Sequence, residues 1–154
     1  MSQVILDSGV FIASVYVEAL TAEAKQLLQQ LQAAQVTLHA PNLLRYELIA
    51  VSRKAVYKGR VTTEEGLIAR DQLLSYPVTL HFDETLLKRG YELAEQYNRP
   101  TAYDSQYLAL TERLSCEFWT VDERLFNAVK DKFPGIRWLG NWVSTAVNAV
   151  ENPE

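Results

Sequence analysis

Four acidic side chains of this sequence stand where they could share one site. Asp7 follows the apolar run 4–6, Glu47 lies on the helix predicted after the second strand, Asp104 opens the helix predicted before the fourth strand, and Asp122 ends that strand. Parallel α/β sheets collect their chemistry at the carboxyl ends of the strands. Close carboxylates repel one another, and a fold tolerates them best when a divalent cation neutralises them. Because no Cys or His accompanies them, the oxygen ligands favour Mg²⁺ or Mn²⁺ over zinc.

Each acid also has a purely structural interpretation. Asp7 and Asp122 each precede a predicted helix, and either could be an N-cap. Asp104 ends a Thr-x-x-Asp pattern that begins at Thr101 and resembles a capping box. Glu47 borders the inward stripe of its helix, where it could be a half-exposed side chain. The interpretation as a site therefore depends on the four acids together.

The size and composition of the chain are typical of a globular protein. Its 154 residues are 48% hydrophobic and 22% charged, which is enough for one domain with a substantial core. The sequence does not open with a basic region and a long apolar run, and no stretch reaches the roughly 18 apolar residues of a membrane span. The single cysteine, Cys116, excludes an internal disulfide, so we expect a cytoplasmic protein. The net charge of −4 means that nucleic acid would need a local basic patch.

Short apolar runs alternate with helical periodicity along most of the chain. Strands are predicted at 3–6, 36–39, 78–82, 117–121 and 136–139, with helices between them. This alternation predicts right-handed crossovers and a parallel sheet covered on both faces, a three-layer α/β/α sandwich. No linker or repeat interrupts it, so we expect residues 1–154 to form a single domain. In the tail 141–154, Trp142, Val143 and Val147 could pack, and we expect 151–154 to fray.

Several helix boundaries follow from capping residues. Thr21 and Asp83 are predicted N-caps, and Thr62 with Glu65 fits a capping box. Gly59 suits the left-handed position just after a helix.

The motifs, in their order and spacing, resemble a known family. The segments that carry the likeness are Val4-Ile5-Leu6-Asp7-Ser8, Pro41 followed by Tyr46-Glu47-Leu48, Tyr103-Asp104 followed by Tyr107-Leu108-Ala109, and Thr120-Val121-Asp122. They are similar to the PIN domain, in particular to the VapC-type toxins of prokaryotic toxin–antitoxin pairs. The likeness extends from about Val4 to Leu139.

The resemblance implies a parallel sheet of strand order 3-2-1-4-5 and an endoribonuclease that depends on Mg²⁺ or Mn²⁺. It also implies a homodimer and a small antitoxin partner. The residues that correspond to the family's site are the acidic quartet Asp7, Glu47, Asp104 and Asp122, with Ser8 and Thr120 in support. The sequence departs from the family at Gly9, where many members carry a small hydroxyl residue.

Basic residues concentrate on the helix that carries Glu47. Five of the fifteen Lys and Arg residues lie there or just beyond, interleaved with two tyrosines that could stack on bases: Arg45, Tyr46, Arg53, Lys54, Tyr57, Lys58 and Arg60. Lys54 and Lys58 continue the Glu47 edge at helical spacing, so they are the first candidates for contacts with RNA phosphates, with Arg45 and Arg53 beside them. The alternative is that these cations only solvate an outer face.

Two other functions compete with the nuclease. Asp7 could be the nucleophile of an Asp-based phosphohydrolase, although Asp7-Ser8-Gly9 lacks the second Asp of a D-x-D site. The chain could also be a metal-free binding or scaffold module with a degenerate site, against which the presence of all four acids argues. No phosphate-cradling glycine motif occurs. His39 and His81 lack metal-ligand spacing, and we expect each to end a strand.

Overall fold

Five short strands form one parallel sheet in the computed structural model, which describes residues 1–143. The strands are β1 (Gln3–Leu6), β2 (Thr37–Pro41), β3 (Val78–His81), β4 (Glu117–Thr120) and β5 (Ile136–Trp138). Their order is β3-β2-β1-β4-β5, and every pairing is parallel, which confirms the predicted sheet. Val4, Ile5 and Leu6 are fully buried, as expected for a central strand that is covered on both faces.

Seven helices connect and cover the strands in the described residues. They are α1 (Ser8–Val15), α2 (Thr21–Ala33), α3 (Leu43–Tyr57), α4 (Thr63–Ser75), α5 (Glu84–Gln96), α6 (Asp104–Leu114) and α7 (Glu123–Val129). Helix α1 packs against α2, α3 and α4, whereas α5 packs against α6. Because the strand order reverses at β1, right-handed crossovers place these two groups on opposite faces of the sheet. The reversal leaves a crevice between the carboxyl ends of β1 and β4, where ligands of such sheets bind.

Local capping signals located most helix starts. Asp83 caps α5 by accepting the Leu86 N–H at 2.8 Å, and Thr62 with Glu65 forms the predicted capping box of α4. The prediction for Thr21 was wrong, because the N-cap of α2 is Leu20 and Thr21 is the first helical residue. The Thr21 hydroxyl instead binds the backbone of the preceding loop.

The second strand runs two residues further than predicted. It ends at Pro41, which is tolerated because the last residue of a strand need not donate to the ladder. His39 therefore lies inside β2 instead of ending it, whereas His81 ends β3 as predicted.

The described part of the tail is short. A 3₁₀ turn follows β5 at Leu139–Asn141. Trp142 packs against the core and Val143 is exposed, while Val147 and 151–154 lie outside the described residues. Within 1–143, no helix combines the length and the apolar character that crossing a bilayer would require.

Candidate active site

Three hydrogen-bond donors hold the carboxylate of Asp7 where β1 ends. Its Oδ1 accepts the Val10 N–H at 3.1 Å, so Asp7 is the N-cap of α1, the structural alternative that its sequence position allowed. Its Oδ2 accepts the Thr120 hydroxyl at 2.5 Å and the Val121 N–H at 3.2 Å. Burial raises the pKa of Asp7 to about 7, although these three bonds favour the ionised form; the nearby Glu47 carboxylate adds to the rise.

Thr120 joins the ends of β1 and β4. Its side chain is fully buried, and its hydroxyl donates to Asp7 while it accepts the Asp122 N–H at 3.0 Å. Asp122 in turn caps α7, the structural alternative for this residue, because its Oδ1 accepts the Leu125 N–H at 3.0 Å. One threonine hydroxyl can fill both roles, since it carries one proton and two lone pairs. Two of the four acids are thus fixed beside each other by backbone groups and one buried side chain.

Glu47 is held by a single phenol from another helix. The Tyr107 hydroxyl on α6 donates to Glu47 Oε1 on α3 at 2.6 Å. Burial raises the pKa of Glu47, the Tyr107 bond lowers it, the Asp104 carboxylate raises it, and the Ser8 side chain lowers it again by hydrogen bonding. Burial and the Glu47 charge raise the pKa of Tyr107 well above its usual range, so the phenol keeps its proton and stays a donor.

Asp104 opens α6, but the predicted capping box at its start does not form. The N-cap of α6 is Tyr103, which leaves Asp104 at the first helical position and not at the third, where the acid of a capping box belongs. A capping box that begins at Thr101 would require α6 to start two residues earlier than it does. Burial raises the pKa of Asp104, the Asp122 carboxylate raises it further, and the Arg99 guanidinium lowers it. The nearest Arg99 nitrogen is 4.0 Å from Asp104 Oδ2.

The four predicted acids meet at one end of the sheet. Electrostatic coupling links Asp7 to Glu47, Glu47 to Asp104, and Asp104 to Asp122, and Thr120 links Asp7 to Asp122. Within residues 1–143, no three Asp, Glu, His or Cys side chains close around a point as a metal-binding group. The donors nevertheless fit a hard divalent cation, since they are carboxylate oxygens with lone pairs that no described hydrogen bond uses.

The departure at Gly9 has a steric counterpart in Val121. A Cβ atom at Gly9 would lie 2.2 Å from Val121 Cγ2, far inside van der Waals contact. Val121 therefore fills the space that the hydroxyl residue of other members would need.

The predicted basic surface lies on the outside of α3 and just beyond it. Arg45, Arg53, Lys54 and Lys58 are all exposed. The Arg53 guanidinium lies 5.7 Å from the centre of the Tyr57 ring. Arg60 is engaged elsewhere, because it donates to Glu18 at 3.1 Å.

Sequence reasoning missed the contacts of four side chains. The roles of Tyr107 and Arg99 depend on which helices pack together, although Asn98 before Arg99 is a typical residue for ending a helix. His39 and His81 lie on the neighbouring strands β2 and β3, with His39 Nδ1 and His81 Nε2 separated by 2.9 Å. That contact follows from the strand pairing, which spacing along the chain does not show.

The chain is similar to known proteins. The family profile described as PIN domain matches residues 4–132. Ribonuclease VapC12 of Mycobacterium tuberculosis is 34% identical over 89 residues, which are 58% of this chain and 67% of that protein. VapC ribonuclease Mb0985 of Mycobacterium bovis is 30% identical over 106 residues, 69% of this chain and 80% of that protein.

One solved structure is similar throughout. The structure of PAE2754 from Pyrobaculum aerophilum superposes with a TM-score of 0.66 at 17% identity, covering 97% of this chain and 98% of that one, and supports the fold alone. Because the family profile matches most of its length, the chain belongs to the PIN domain family.

Proposed function

We propose that this protein is a metal-dependent endoribonuclease that hydrolyses RNA phosphodiester bonds, and that it is the toxin of a VapBC-type toxin–antitoxin pair. The observation that carries the proposal is the chain of four coupled carboxylates at the reversal point of the sheet. The relatives named as ribonucleases support the same activity.

The reaction is an in-line hydrolysis. A water oxygen attacks phosphorus, the bond between phosphorus and the leaving ribose oxygen breaks, and that oxygen takes up a proton. Mg²⁺ or Mn²⁺ held by Asp7, Glu47, Asp104 and Asp122 would supply positive charge to the phosphate and the attacking water. Without such charge, four carboxylates would repel the anionic substrate.

The remaining side chains hold the acids in place. Thr120 orients Asp7 and Asp122 by donating to the first and accepting from the backbone of the second. Tyr107 holds Glu47, and Ser8 lies close enough to influence the same carboxylate. Such outer contacts set how well a site is organised before substrate binds.

The proposal also covers the binding partners, the oligomeric state and the cellular location. We propose RNA contacts from Arg45, Arg53, Lys54 and Lys58, a homodimer, a small antitoxin protein, and a single domain over 1–154 in the cytoplasm. Size-exclusion chromatography with light scattering tests the homodimer directly.

Two alternatives give different expectations. An Asp-based phosphohydrolase needs Asp7 free to attack phosphorus, but both of its oxygens already accept hydrogen bonds. A scaffold module would bind its partner without metal and would not cleave RNA. Metal-dependent cleavage of the RNA backbone separates the nuclease from both.

The test is cleavage of single-stranded RNA with Mg²⁺, with Mn²⁺ and with a chelator. We expect cleavage only with metal, and its loss in Asp104→Asn and in Glu47→Gln, which can still accept the Tyr107 bond. Asp131→Asn, an exposed aspartate outside the site, is the matched control. Wild-type-like cleavage by Asp104→Asn and Glu47→Gln would remove the acids from the mechanism, and no cleavage by the wild type would favour the scaffold module.

A further inference from the structure

Arg99 carries a largely buried positive charge without a hydrogen-bond partner among the described residues. Its side chain is 21% exposed, its Nε is buried and unsatisfied, and its closest acidic oxygen is Asp104 Oδ2 at 4.0 Å, which is too far for a hydrogen bond. Two other partly buried arginines have hydrogen-bond partners for their guanidinium groups. Arg113 donates twice to Asp83, and Arg89 donates to Glu92 and Glu112.

The backbone fixes Arg99 in this place. Helix α5 ends in a Schellman motif, in which the Asn98 N–H bonds to the Glu95 carbonyl at 3.1 Å and the Arg99 N–H bonds to the Ala94 carbonyl at 2.7 Å. Asn98 has the left-handed φ of 52° that this motif requires. Pro100 then restricts Arg99 to an extended backbone. Arg99 is therefore positioned by a defined helix end and not by a freely moving loop.

A buried guanidinium with unused donors is unfavourable until an anion binds it. Asp104 lowers the electrostatic cost of the charge but does not use the N–H groups. The planar fork of a guanidinium matches two oxygens of a phosphate. An anion that enters the acid site from solvent would supply the missing partner.

We propose that Arg99 binds a phosphate group of the RNA in the acid site and stabilises the negative charge that develops on its oxygens during hydrolysis. This inference rests on the proposed nuclease function. It assigns Arg99, in addition to the four acids, to the residues that touch the substrate.

The first test is the cleavage kinetics of Arg99→Gln and Arg99→Lys with Mg²⁺. Removing a donor that acts on developing charge lowers kcat by about 100-fold or more, so we expect that loss in Arg99→Gln with a smaller rise in KM. Arg99→Lys keeps the charge without the fork and should recover part of the rate. Arg89→Gln is the control, because Arg89 lies in the groove beside Gln3 and Glu117, at the opposite ends of β1 and β4.

The second test is RNA binding in the cleavage-inactive Glu47→Gln background. One lost phosphate contact should reduce the slope of log Kd against log salt by about 0.7 for single-stranded RNA. We expect this change for Arg99→Gln and none for Arg89→Gln. Thermal melts show whether each variant is folded, and Arg99→Met, which keeps the aliphatic part of the side chain without its charge, serves if Arg99→Gln is not.

The outcomes separate this inference from the nuclease function. If the wild type cleaves RNA but Arg99→Gln matches Arg89→Gln in kcat and salt slope, the phosphate contact is wrong and the nuclease stands. If excess Mg²⁺ fully restores kcat in Arg99→Gln, Arg99 acts only through Asp104, which also overturns the contact. If the wild type cleaves no RNA, the nuclease falls, and the salt slope still decides whether Arg99 binds phosphate.

Discussion

The two halves of the candidate site are built in different ways. Asp7 and Asp122, with Thr120 between them, form the sheet half. The carboxylate of each of these acids accepts the backbone N–H three residues ahead. The Thr120 hydroxyl donates to the Asp7 carboxylate and accepts the backbone N–H of Asp122. Glu47 and Asp104 form the helix half. The Glu47 carboxylate accepts a hydrogen bond from the Tyr107 phenol, and the Asp104 carboxylate accepts no hydrogen bond from the described residues.

The difference separates rigid ligands from adjustable ones. The donors of the sheet half belong to strand ends and helix starts, so they cannot move without breaking the fold. The carboxylates of the helix half extend from α3 and α6, where fewer hydrogen bonds from the described residues fix their positions. A site of this kind would offer a cation two fixed carboxylates and two that can adjust. This agrees with four carboxylates that influence one another's pKa although no three of them among residues 1–143 form a metal-binding group.

The largest expected effect is a pH dependence that comes from the sheet half. The pKa of Asp7 is about 7 in the folded protein and near 3.9 when unfolded. Between these values the folded state binds more protons, so the free energy of unfolding should fall as pH rises from about 4 to about 7. The shift corresponds to about 4 kcal/mol, an upper limit because Asp7 keeps some contact with solvent.

Urea unfolding between pH 4 and 8 with a chelator measures this dependence. Other groups titrate in every variant, so the comparison is with Asp7→Asn, whose curve should be flatter. Parallel curves for the two proteins would mean that Asp7 has an ordinary pKa and that its three donors outweigh its burial.

The next effect tests whether the sheet half is organised by Thr120. Thr120→Val keeps the shape but removes the donor to Asp7 and the acceptor for the Asp122 N–H. We expect cleavage to fall about 10- to 100-fold and stability to fall by about 1–3 kcal/mol. Thr111→Val is the control, since Thr111 is equally buried but its hydroxyl only donates to the Tyr107 carbonyl within α6. Equal activity losses in the two variants would make Thr120 a packing residue.

The smallest effect concerns the surface next to the helix half. Lys54 follows Glu47 along one edge of α3, whereas Lys132 lies at the opposite ends of the strands. Both are exposed. Lys54→Glu should weaken RNA binding about fivefold at low salt, more than Lys132→Glu, and added salt should erode the difference. Equal effects of the two reversals, measured by fluorescence anisotropy, would make the α3 cations a solvated face.

Local features of the sequence were sufficient for much of the fold. Asp83 was predicted as an N-cap, the same role was the structural alternative for Asp7 and Asp122, and each of the three accepts the N–H three residues ahead. Such contacts depend on neighbours in the chain, as do the apolar runs that became strands. The strand order came from the family likeness, because periodicity alone does not determine which strands pair.

The tertiary structure decided what surrounds each acid. Thr120 lies 113 residues from Asp7, and Tyr107 lies 60 residues from Glu47, so these contacts exist only once the sheet and helices have packed. The same holds for His39 with His81, and for Arg99 beside Asp104. The sequence by itself determined that Asp7, Asp104 and Asp122 stand at strand ends or helix starts and that Glu47 lies on a helix, because those positions follow from short-range propensity and capping. Which donor, phenol or cation each acid meets was decided by packing, since residues far apart in the chain become neighbours only through the order of the strands.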